Sequence, residues 1–366
     1  MPIIELGSNQ QLVLQFDMIE NRNRQFRLNV THHNPDWSRS TLAPEQFMDG
    51  FGEAFFAGGR PSRSQRPSYR HYQYIFPNQD LRFRVSGNYM LRISDYNTDE
   101  VIFTIPFFIF ENEGEIASSL DTIFAPRRQF RIQHQPRSRF TYPEFVEFPQ
   151  FDLKFFFIQN RFWGQAREVD SFDTATPGSV YYEVSRSNAF IGDYEFKFLD
   201  LAELSQRPPE ILDFQPGFVP PRLILNVDVQ GLTNVRRQVS LRTSGFTKPE
   251  LDARYGDIRF FFQPEQGLEL NEESKIYIVG DFNNWFIRDE NKMQFNAEEH
   301  WWEGSAYAKE GSYSYKYVLV QNGNIYDLAL DDTFTRNRQE YTTFVYFRDP
   351  VQRHFRLLQS NTFFSN

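Results

Sequence analysis

The residue types best suited to chemistry stand together near the amino terminus, where His32 and His33 precede Asp36 and Trp37. Imidazole and carboxylate groups bind metals and act as general acids and bases. Neighbouring side chains on a strand point to opposite faces, so His32 and His33 cannot bind one metal without a bend. The other histidines are scattered singly. We therefore predict no metal site and no catalytic site here, but a strand end that runs into an Asn-Pro turn with Trp37 as its anchor.

The rest of the chain lacks the motifs of the common enzyme classes. It contains no cysteine, no G-x-S-x-G elbow, no H-E-x-x-H pair, no P-loop and no G-x-G-x-x-G after a strand. Asp327, Asp331 and Asp332 cluster as in a weak cation loop, but calcium loops need a central glycine that is missing, so we predict a solvated loop. The sequence thus predicts no catalytic residue, no metal and no cofactor. A hydrolase stays a distant alternative, which would require a pocket of carboxylates with perturbed pKa values.

Composition excludes two further classes of protein. The net charge of -9 over 366 residues and the lack of a polybasic cluster argue against a nucleic-acid binder, since such proteins need a basic face. Mean hydropathy is -0.59, and the longest apolar run, Val101–Phe110, is too short to span a bilayer. We therefore predict no transmembrane segment and interpret this run as a buried strand.

Strand-like alternation dominates the sequence pattern. The stretch "YSYKYVLV" places its tyrosines on one side of a strand. The 41 phenylalanines suit the pleated, half-buried surface of a sheet. Short helices are predicted only after Pro44 and after Pro249, because proline is favoured at the first helical position.

These patterns predict an all-β chain of three consecutive immunoglobulin-like or early-set β-sandwich domains. The predicted domains are residues 1–112, 123–245 and 255–366. Two polar linkers, Glu111–Thr122 and Thr243–Asp257, are predicted at the boundaries.

The stretch "VGDFNNW", which ends at Trp285, and the later "GSYSYKYV" resemble the early-set modules that bind glycogen and starch or precede the barrel of branching enzymes. In sugar-binding members, a tryptophan at the position of Trp285 stacks on a glucose ring and a lysine at the position of Lys316 hydrogen-bonds the glycan. The second stacking tryptophan is replaced here by Ile325 and Tyr326. The resemblance implies the fold and leaves an α-glucan site at Trp285 and Lys316 as the alternative function. For Trp285 itself we favour packing in a core.

A second resemblance begins at the histidine stretch itself. "HHNPDWSRSTLAPEQFMDGF" and the later "YRHYQYIFPNQDLRFRVSGNYMLRIS" closely resemble the first domain of the type IX secretion system plug protein family. The matching positions, which we call the signature residues, are Asp36, Trp37, Ser40, Leu42, Gly50, Phe51, Tyr69, His71, Tyr72, Phe76, Pro77, Asn78, Ser86, Gly87, Asn88 and Tyr89. Further along, Phe155–Trp163 and Asp193–Leu201 resemble the middle domain of that family, and the segment around Trp285 corresponds to its last domain.

The resemblance implies a non-enzymatic periplasmic protein that docks on the outer membrane. Its expected partner is the large outer-membrane β-barrel subunit of the type IX translocon, whose pore the plug seals, and it is expected to be a monomer before docking. Family members often carry a cysteine at the position of His33, which argues against a functional role for that side chain.

The amino terminus has no positive n-region and no apolar h-region, so no secretory signal is recognised there. Either a leader has been removed or missed, or the protein is cytoplasmic, which is the alternative location.

Trp301 and Trp302 are neighbours on a predicted strand, so one of them is expected to face outwards. An exposed tryptophan there is a candidate docking contact, because aromatic residues dominate interface energies. The simpler interpretation is that both pack in a core.

Overall fold

Strands form most of the chain, so the predicted all-β class is confirmed. The computed structural model describes residues 2–50, 52–64, 66–124, 132–162, 166–192, 196–202, 204, 210–230, 248–265, 268, 270, 273–331 and 338–365. Among the residues named above, Phe51, Trp163, Asp193, Thr243 and Asp332 lie outside these ranges.

The strands are described in chain order. The first are β1 (Ile3–Glu5), β2 (Leu12–Met18), β3 (Phe26–His33), β4 (Met48–Asp49), β5 (Glu53–Phe56), β6 (Arg60–Pro61), β7 (Arg70–Phe76), β8 (Arg82–Phe83), β9 (Gly87–Asp95) and β10 (Val101–Phe110). They are followed by β11 (Glu115–Phe124), β12 (Ile132–Thr141), β13 (Leu153–Gln159), β14 (Arg167–Glu168), β15 (Phe172–Asp173), β16 (Ser179–Glu183) and β17 (Phe190–Ile191). The last are β18 (Lys197–Asp200), β19 (Ile211–Gln215), β20 (Arg222–Val229), β21 (Tyr255–Gln263), β22 (Lys275–Gly280), β23 (Gln294–Asn296), β24 (Trp301–Lys309), β25 (Ser312–Gln321), β26 (Asn324–Tyr326), β27 (Glu340–Arg348) and β28 (Phe355–Phe364).

The helices are short. They are α1 (Pro44–Phe47), α2 (Pro149–Asp152) and α3 (Pro249–Asp252), with 3-10 turns at Arg186–Asn188, Asp281–Asn283 and Asp289–Asn291. Each α-helix begins with a proline, whose fixed backbone angle suits the first helical position. The predictions of α1 and α3 are confirmed, whereas α2 was not predicted. In the described part of the chain, no helix has the length and apolar character needed to cross a bilayer.

The first unit is a sandwich built from β1–β10. Its main sheet has the order β1-β10-β9-β3-β5 and packs against a smaller sheet, β2-β7-β6. Phe26 and Leu91 from the main sheet meet Tyr72 and Phe76 from the smaller sheet in one buried core. Every second residue of β3 is buried, as expected of a strand with one face in a core.

The middle unit packs the sheet β11-β12-β16-β15, with β17 on β12, against the sheet β14-β13-β27-β28. Its core joins Phe140 and Tyr182 of the first sheet to Phe155 and Tyr341 of the second. The rings of Phe155 and Tyr182 stack with their centroids 4.0 Å apart.

The last unit packs the sheet β18-β25-β22, with β26 on β25, against the sheet β19-β20-β21-β24-β23. Tyr315, Tyr317 and Leu319 of β25 enter its core beside Phe260 and Phe262 of β21. The predicted one-sided alternation of "YSYKYVLV" is therefore confirmed.

The sheets cross the predicted domain boundaries. Strand β27, near the carboxyl end, pairs with β13 of the middle unit along Leu153–Gln159. Strands β18 and β20, which come before the predicted boundary at 245, pair with β25 and β21 of the last unit. The chain therefore passes from the middle unit to the last unit and returns to the middle unit to finish.

The two predicted linkers also differ from what the structure contains. Most of Glu111–Thr122 belongs to β11, which lies at one edge of its sheet and pairs with β12 over ten residues. Polar residues are common on edge strands, because they discourage pairing with other chains. Of Thr243–Asp257, the first five residues lie outside the described ranges, and the rest includes α3 and the start of β21.

A chain that ends at residue 331 is expected to lose the fold of the middle unit. It would lack β27 and β28, and with them Tyr341, Val345 and Leu358 of the middle core. Limited proteolysis with mass spectrometry is expected to show rapid cleavage within 115–191 and slow cleavage within 2–110. If 115–191 stays as resistant as in the full chain, the middle unit does not depend on its returning strands.

Candidate functional site: the contacts that join the three units

His32 and His33 lie on alternate faces of β3, as their adjacency predicts. His32 is buried, and its Nε2 lies 3.1 Å from the carbonyl oxygen of Ser86. His33 Nδ1 lies 2.8 Å from the carbonyl oxygen of Trp37. Over the described ranges, no three histidine, aspartate or glutamate side chains converge as metal ligands do. The two imidazoles instead hold neighbouring backbone in place.

The turn after β3 is shaped by its own polar groups. The Ser38 backbone N–H and hydroxyl both donate to Asp36 Oδ1, at 3.0 and 2.6 Å. The Ser40 N–H donates to the carbonyl oxygen of His32 at 3.0 Å. Trp37, at the apex, has a left-handed backbone with φ of 64°. The turn therefore holds the indole ring of Trp37 beside His33, with their ring centroids 6.0 Å apart.

That indole reaches an apolar cluster between the first and middle units. The buried members of the cluster are Phe108 of β10, Phe156 and Ile158 of β13, Phe344 and Tyr346 of β27 and Leu357 of β28. The rings of Trp37 and Phe108 meet edge to face at 5.5 Å, and those of Phe108 and Phe344 stack at 5.0 Å. Trp37 thus anchors its loop, as predicted, in a cluster that lies between two units.

Two further signature residues bind the middle unit through hydrogen bonds. The Ser86 hydroxyl accepts the N–H of Leu357 at 2.9 Å and donates to Glu111 Oε1 at 2.6 Å. Asn88 Oδ1 accepts the hydroxyl of Tyr346 at 2.6 Å. Ser86 and Asn88 are both buried, so these bonds satisfy polar groups that have left water.

An ion pair lies at the edge of the same contact. Arg356 Nε donates to Glu111 Oε1 at 2.9 Å, and the backbone N–H of Glu111 donates to the Leu357 carbonyl at 2.9 Å.

The ring of His354, from the middle unit, lies 6.0 Å from the ring of His32. Burial is the largest cause that lowers the pKa of His32 to about 4; the neighbouring imidazoles of His354 and His33 add to it, and the hydrogen bond with Ser86 opposes it. Both units therefore contribute to keeping His32 neutral.

Tyr69 contacts the last unit instead. The Tyr69 hydroxyl donates to the carbonyl oxygen of Ala253 at 2.8 Å, and its ring lies edge to face against Tyr255 at 5.3 Å. Lys309 Nζ lies 4.2 Å from the centre of the Tyr69 ring, as in a cation–π contact. Tyr69 is fully buried by these neighbours.

The Asp17 carboxylate is the centre of this second contact. Asp17 Oδ1 lies 2.8 Å from His71 Nδ1, and its Oδ2 accepts hydrogen bonds from Lys309 Nζ and the Tyr255 hydroxyl, each at 2.7 Å. Burial raises the pKa of Asp17, but the hydrogen bonds from His71, Lys309 and Tyr255 outweigh burial and hold that pKa below its ordinary value. A charged Asp17 therefore accepts donors from both units.

The remaining signature residues act within the first unit. Tyr72 and Tyr89 are buried in its core. Asn78 follows Pro77, and its Oδ1 accepts the backbone N–H groups of Asp80 and Leu81 in a tight turn. Gly87 has a φ of +136°, and a Cβ there would lie 2.4 Å from His32 Nε2. Only glycine fits beside the buried imidazole.

Trp285 lies between the middle and last units rather than in the core of the last unit. It is half-buried, its Nε1 donates to Asp281 Oδ1 at 3.0 Å, and its ring meets those of Phe162 and Phe196 at 5.5 and 5.2 Å. It also lines an open cleft of about 280 Å³ between these two units. The core position that the sequence favours is thus replaced by a contact between units.

Lys316 does not share a site with Trp285. It is buried, and its Nζ lies 2.7 Å from Asp331 Oδ2. It does not line the cleft that Trp285 lines. Asp331 is likewise buried beside it, which differs from the predicted solvated loop. This arrangement gives the α-glucan alternative no support.

Trp301 and Trp302 point to opposite faces of β24, as expected of neighbouring residues on a strand. Trp302 packs against the core of the last unit. Trp301 lies on the other face of β24, where its ring meets Phe261 at 5.6 Å and its Nε1 donates to Glu303 at 2.7 Å. Both side chains are half-buried, so neither offers a fully exposed indole.

Comparison with known proteins identifies the first of these units. Residues 1–111 match the family model described as type 9 secretion system plug protein 1st domain. The first unit is therefore similar to the first domain of type 9 secretion system plug proteins. No curated protein matches the chain.

The whole chain has a counterpart among solved structures. A hypothetical protein from Parabacteroides merdae ATCC 43184, with a crystal structure at 2.30 Å, aligns with a TM-score of 0.88 at 23% identity over 100% of this chain and 94% of its own. At that identity the likeness shows the fold alone. The C-terminal domains of Streptococcus agalactiae BspA and Streptococcus pyogenes AspA align over 99% of this chain and 94% and 93% of theirs. Their identities are 5% and 7% and their TM-scores 0.17 and 0.16, too low to carry an argument.

Several partners of the plug signature were not predicted from the sequence. Asp17, Lys309 and Tyr255 complete the contact at His71, and Glu111 and Arg356 complete the contact at Ser86. No local pattern marks these residues, because the partners of Asp17 in the last unit are more than 200 positions away along the chain. They can be found only once the strands that meet are known.

Replacing His32 with glutamine is expected to flatten the acid dependence of the protein's stability. The pKa of His32 is about 4 in the folded protein and 6.5 in the unfolded chain, so the unfolded chain binds the proton first. Stability is then fully present above pH 6.5 and is lost as the pH falls towards 4. Urea unfolding is expected to show a loss of about 2 kcal/mol between pH 7 and pH 5 from this group in the wild type. A His32→Gln curve parallel to the wild-type curve over this interval would contradict the assignment.

Replacing Asp17 with asparagine is expected to destabilise the protein by about 3 kcal/mol, because the change leaves Lys309 without its buried counter-charge. Asp99→Asn is the matched control, since it breaks the ion pair between Arg27 and an exposed Asp99 and is expected to cost about 0.5 kcal/mol or less. Urea unfolding measures both. Equal costs for the two variants would show that Asp17 does not stabilise the contact.

Proposed function

We propose that the protein is a non-enzymatic plug that docks on the periplasmic side of the outer-membrane translocon of type IX secretion and seals its pore. The observation that carries this proposal is the match of residues 1–111 to the first domain of the plug family. The expected partner is the large β-barrel subunit of the translocon. Periplasmic residence follows from the side on which the plug docks.

The contacts between units support a sealing role. The first unit contacts the middle unit through Trp37, Ser86 and Asn88, and the last unit through Tyr69 and Asp17. The middle and last units meet at Phe162 and Trp285 and are also joined by the chain that passes between them twice. Each unit therefore contacts both others. Such a closed arrangement resists hinge motion, which suits a body that must stay wedged in a pore.

The signature residues also favour a structural role over a catalytic one. Tyr69, Ser86 and Asn88 are buried and bonded to the backbone or side chains of other units. A catalytic group must reach a substrate, whereas these groups reach only the protein. They therefore fit a protein that acts through its shape.

The test is affinity purification of the tagged full-length protein from the outer-membrane fraction of its own host. Mass spectrometry is expected to identify a very large outer-membrane β-barrel in the eluate. The same tag on an unrelated periplasmic protein is the control. Recovery of the tagged protein in the cytoplasm without any barrel would overturn the proposal.

Sealing needs a second readout in the same host. A strain without the protein is expected to admit a dye that intact outer membranes exclude, and re-expression is expected to restore exclusion. An unchanged dye barrier, with the barrel present in the membrane, would mean that the protein docks without sealing.

A further inference from the structure

One loop of the middle unit exposes three phenylalanine rings. It joins β12 to β13 over Tyr142–Asp152, and we call it the phenylalanine loop. Phe145, Phe148 and Phe151 recur at every third residue and are 40%, 55% and 76% exposed. Large apolar side chains gathered at one exposed place mark interaction surfaces on proteins.

The backbone of the phenylalanine loop is held in place by buried side chains and by its own hydrogen bonds. Between the exposed rings stand Val146 and Pro149, which are buried, and Leu153 after the loop is buried as well. The N–H groups of Phe151 and Asp152 both donate to the Phe148 carbonyl, at 2.9 and 3.0 Å, which closes α2. The rings are therefore presented on an ordered backbone, so a partner would not need to order the loop on binding.

The loop continues into a second apolar feature. The Phe145 ring meets Phe347 of β27 edge to face at 5.4 Å, and the Arg356 guanidinium lies 4.9 Å from the centre of the Phe145 ring. Just beyond β27, the turn that follows carries Val351, which is 87% exposed. The Val351 N–H donates to Asp349 Oδ1 at 2.9 Å, so this turn is ordered too.

The charged residues beside the three rings indicate which class of partner the loop would bind. Glu144, just before Phe145, and Glu147, between Phe145 and Phe148, are exposed, and the loop contains no lysine or arginine. Arg356, behind Phe145, is paired with Glu111. An anionic membrane surface attracts basic segments and repels acidic ones, so the charges disfavour lipid. They fit a protein groove that is apolar at its floor and lined with lysine or arginine at its rim.

We propose that the phenylalanine loop is the docking surface for the translocon, with Phe148 and Phe151 inserted into an apolar groove on the barrel protein and Glu144 and Glu147 facing basic residues at its rim. This inference rests on the proposed function, because it names the surface that carries out the docking. It places that surface in the middle unit, outside the residues that match the family model.

The experiment compares the tagged wild type, a Phe148→Ser/Phe151→Ser double variant and a Phe286→Ser variant, all purified from the same outer-membrane fraction. Phe286 is the matched control, since it is 50% exposed and lies in the last unit. The double variant is expected to recover the barrel about ten-fold less well, while Phe286→Ser stays within about two-fold of the wild type. Thermal melting of each variant is expected to match the wild type, because the replaced rings are exposed.

A photo-crosslinking residue identifies the surface directly. Placed at 151, it is expected to crosslink to the barrel, and the same residue at 286 is not. Glu144→Lys/Glu147→Lys is expected to weaken recovery more at low salt than at high salt, because screening removes the repulsion from a basic rim.

The outcomes separate this inference from the proposed function. If the wild type recovers no barrel, the proposed function fails and the docking surface fails with it. If the wild type and the double variant recover the barrel equally, or if only position 286 crosslinks, docking stands and the phenylalanine loop is not its surface. Flotation of the wild type with phosphatidylethanolamine–phosphatidylglycerol vesicles, lost in the double variant, would assign the loop to lipid and overturn the inference.

Discussion

Buried polar groups need hydrogen-bond partners, and this constraint ties the first unit to the rest of the chain. Ser86 and Asn88 are buried, the side chain of Asp17 is only 7% exposed, and the middle or last unit supplies hydrogen bonds to each of the three. A first unit without these neighbours would expose those groups to water, together with the apolar ring of Phe108. The three units are therefore held together by directional hydrogen bonds as well as by the burial of apolar side chains.

This constraint explains why the units behave differently from domains on a string. In a serial array, each linker is a hinge and one contact can open without disturbing the next. Here the first unit contacts both others, and the chain enters the last unit and returns to the middle unit through β27. Opening one contact would strain the remaining two. The geometry therefore favours one fixed shape, as the proposed sealing role requires.

Local patterns in the sequence predict elements well and partners poorly. The alternation in β25, the helices that start at Pro44 and Pro249, and the opposed side chains of His32 and His33 all follow from the preferences of neighbouring residues. Domain boundaries do not, because β13 and β27 pair across a gap of nearly 200 residues and either strand could satisfy its pattern with another neighbour. Trp285 illustrates the same limit. Its motif predicts the turn, but its place between two units depends on Phe162.

The position of the signature residues changes how the family motif should be interpreted. Trp37, Tyr69, Ser86 and Asn88 are occupied by contacts inside the protein, so a substitution there would weaken the assembly before it altered any partner surface. Recognition of a partner must then use side chains that the fold leaves exposed. The phenylalanine loop is such a place, because its backbone is fixed while its rings remain in solvent. The motif that identifies the first unit and the surface that would dock are, on this argument, different parts of the molecule.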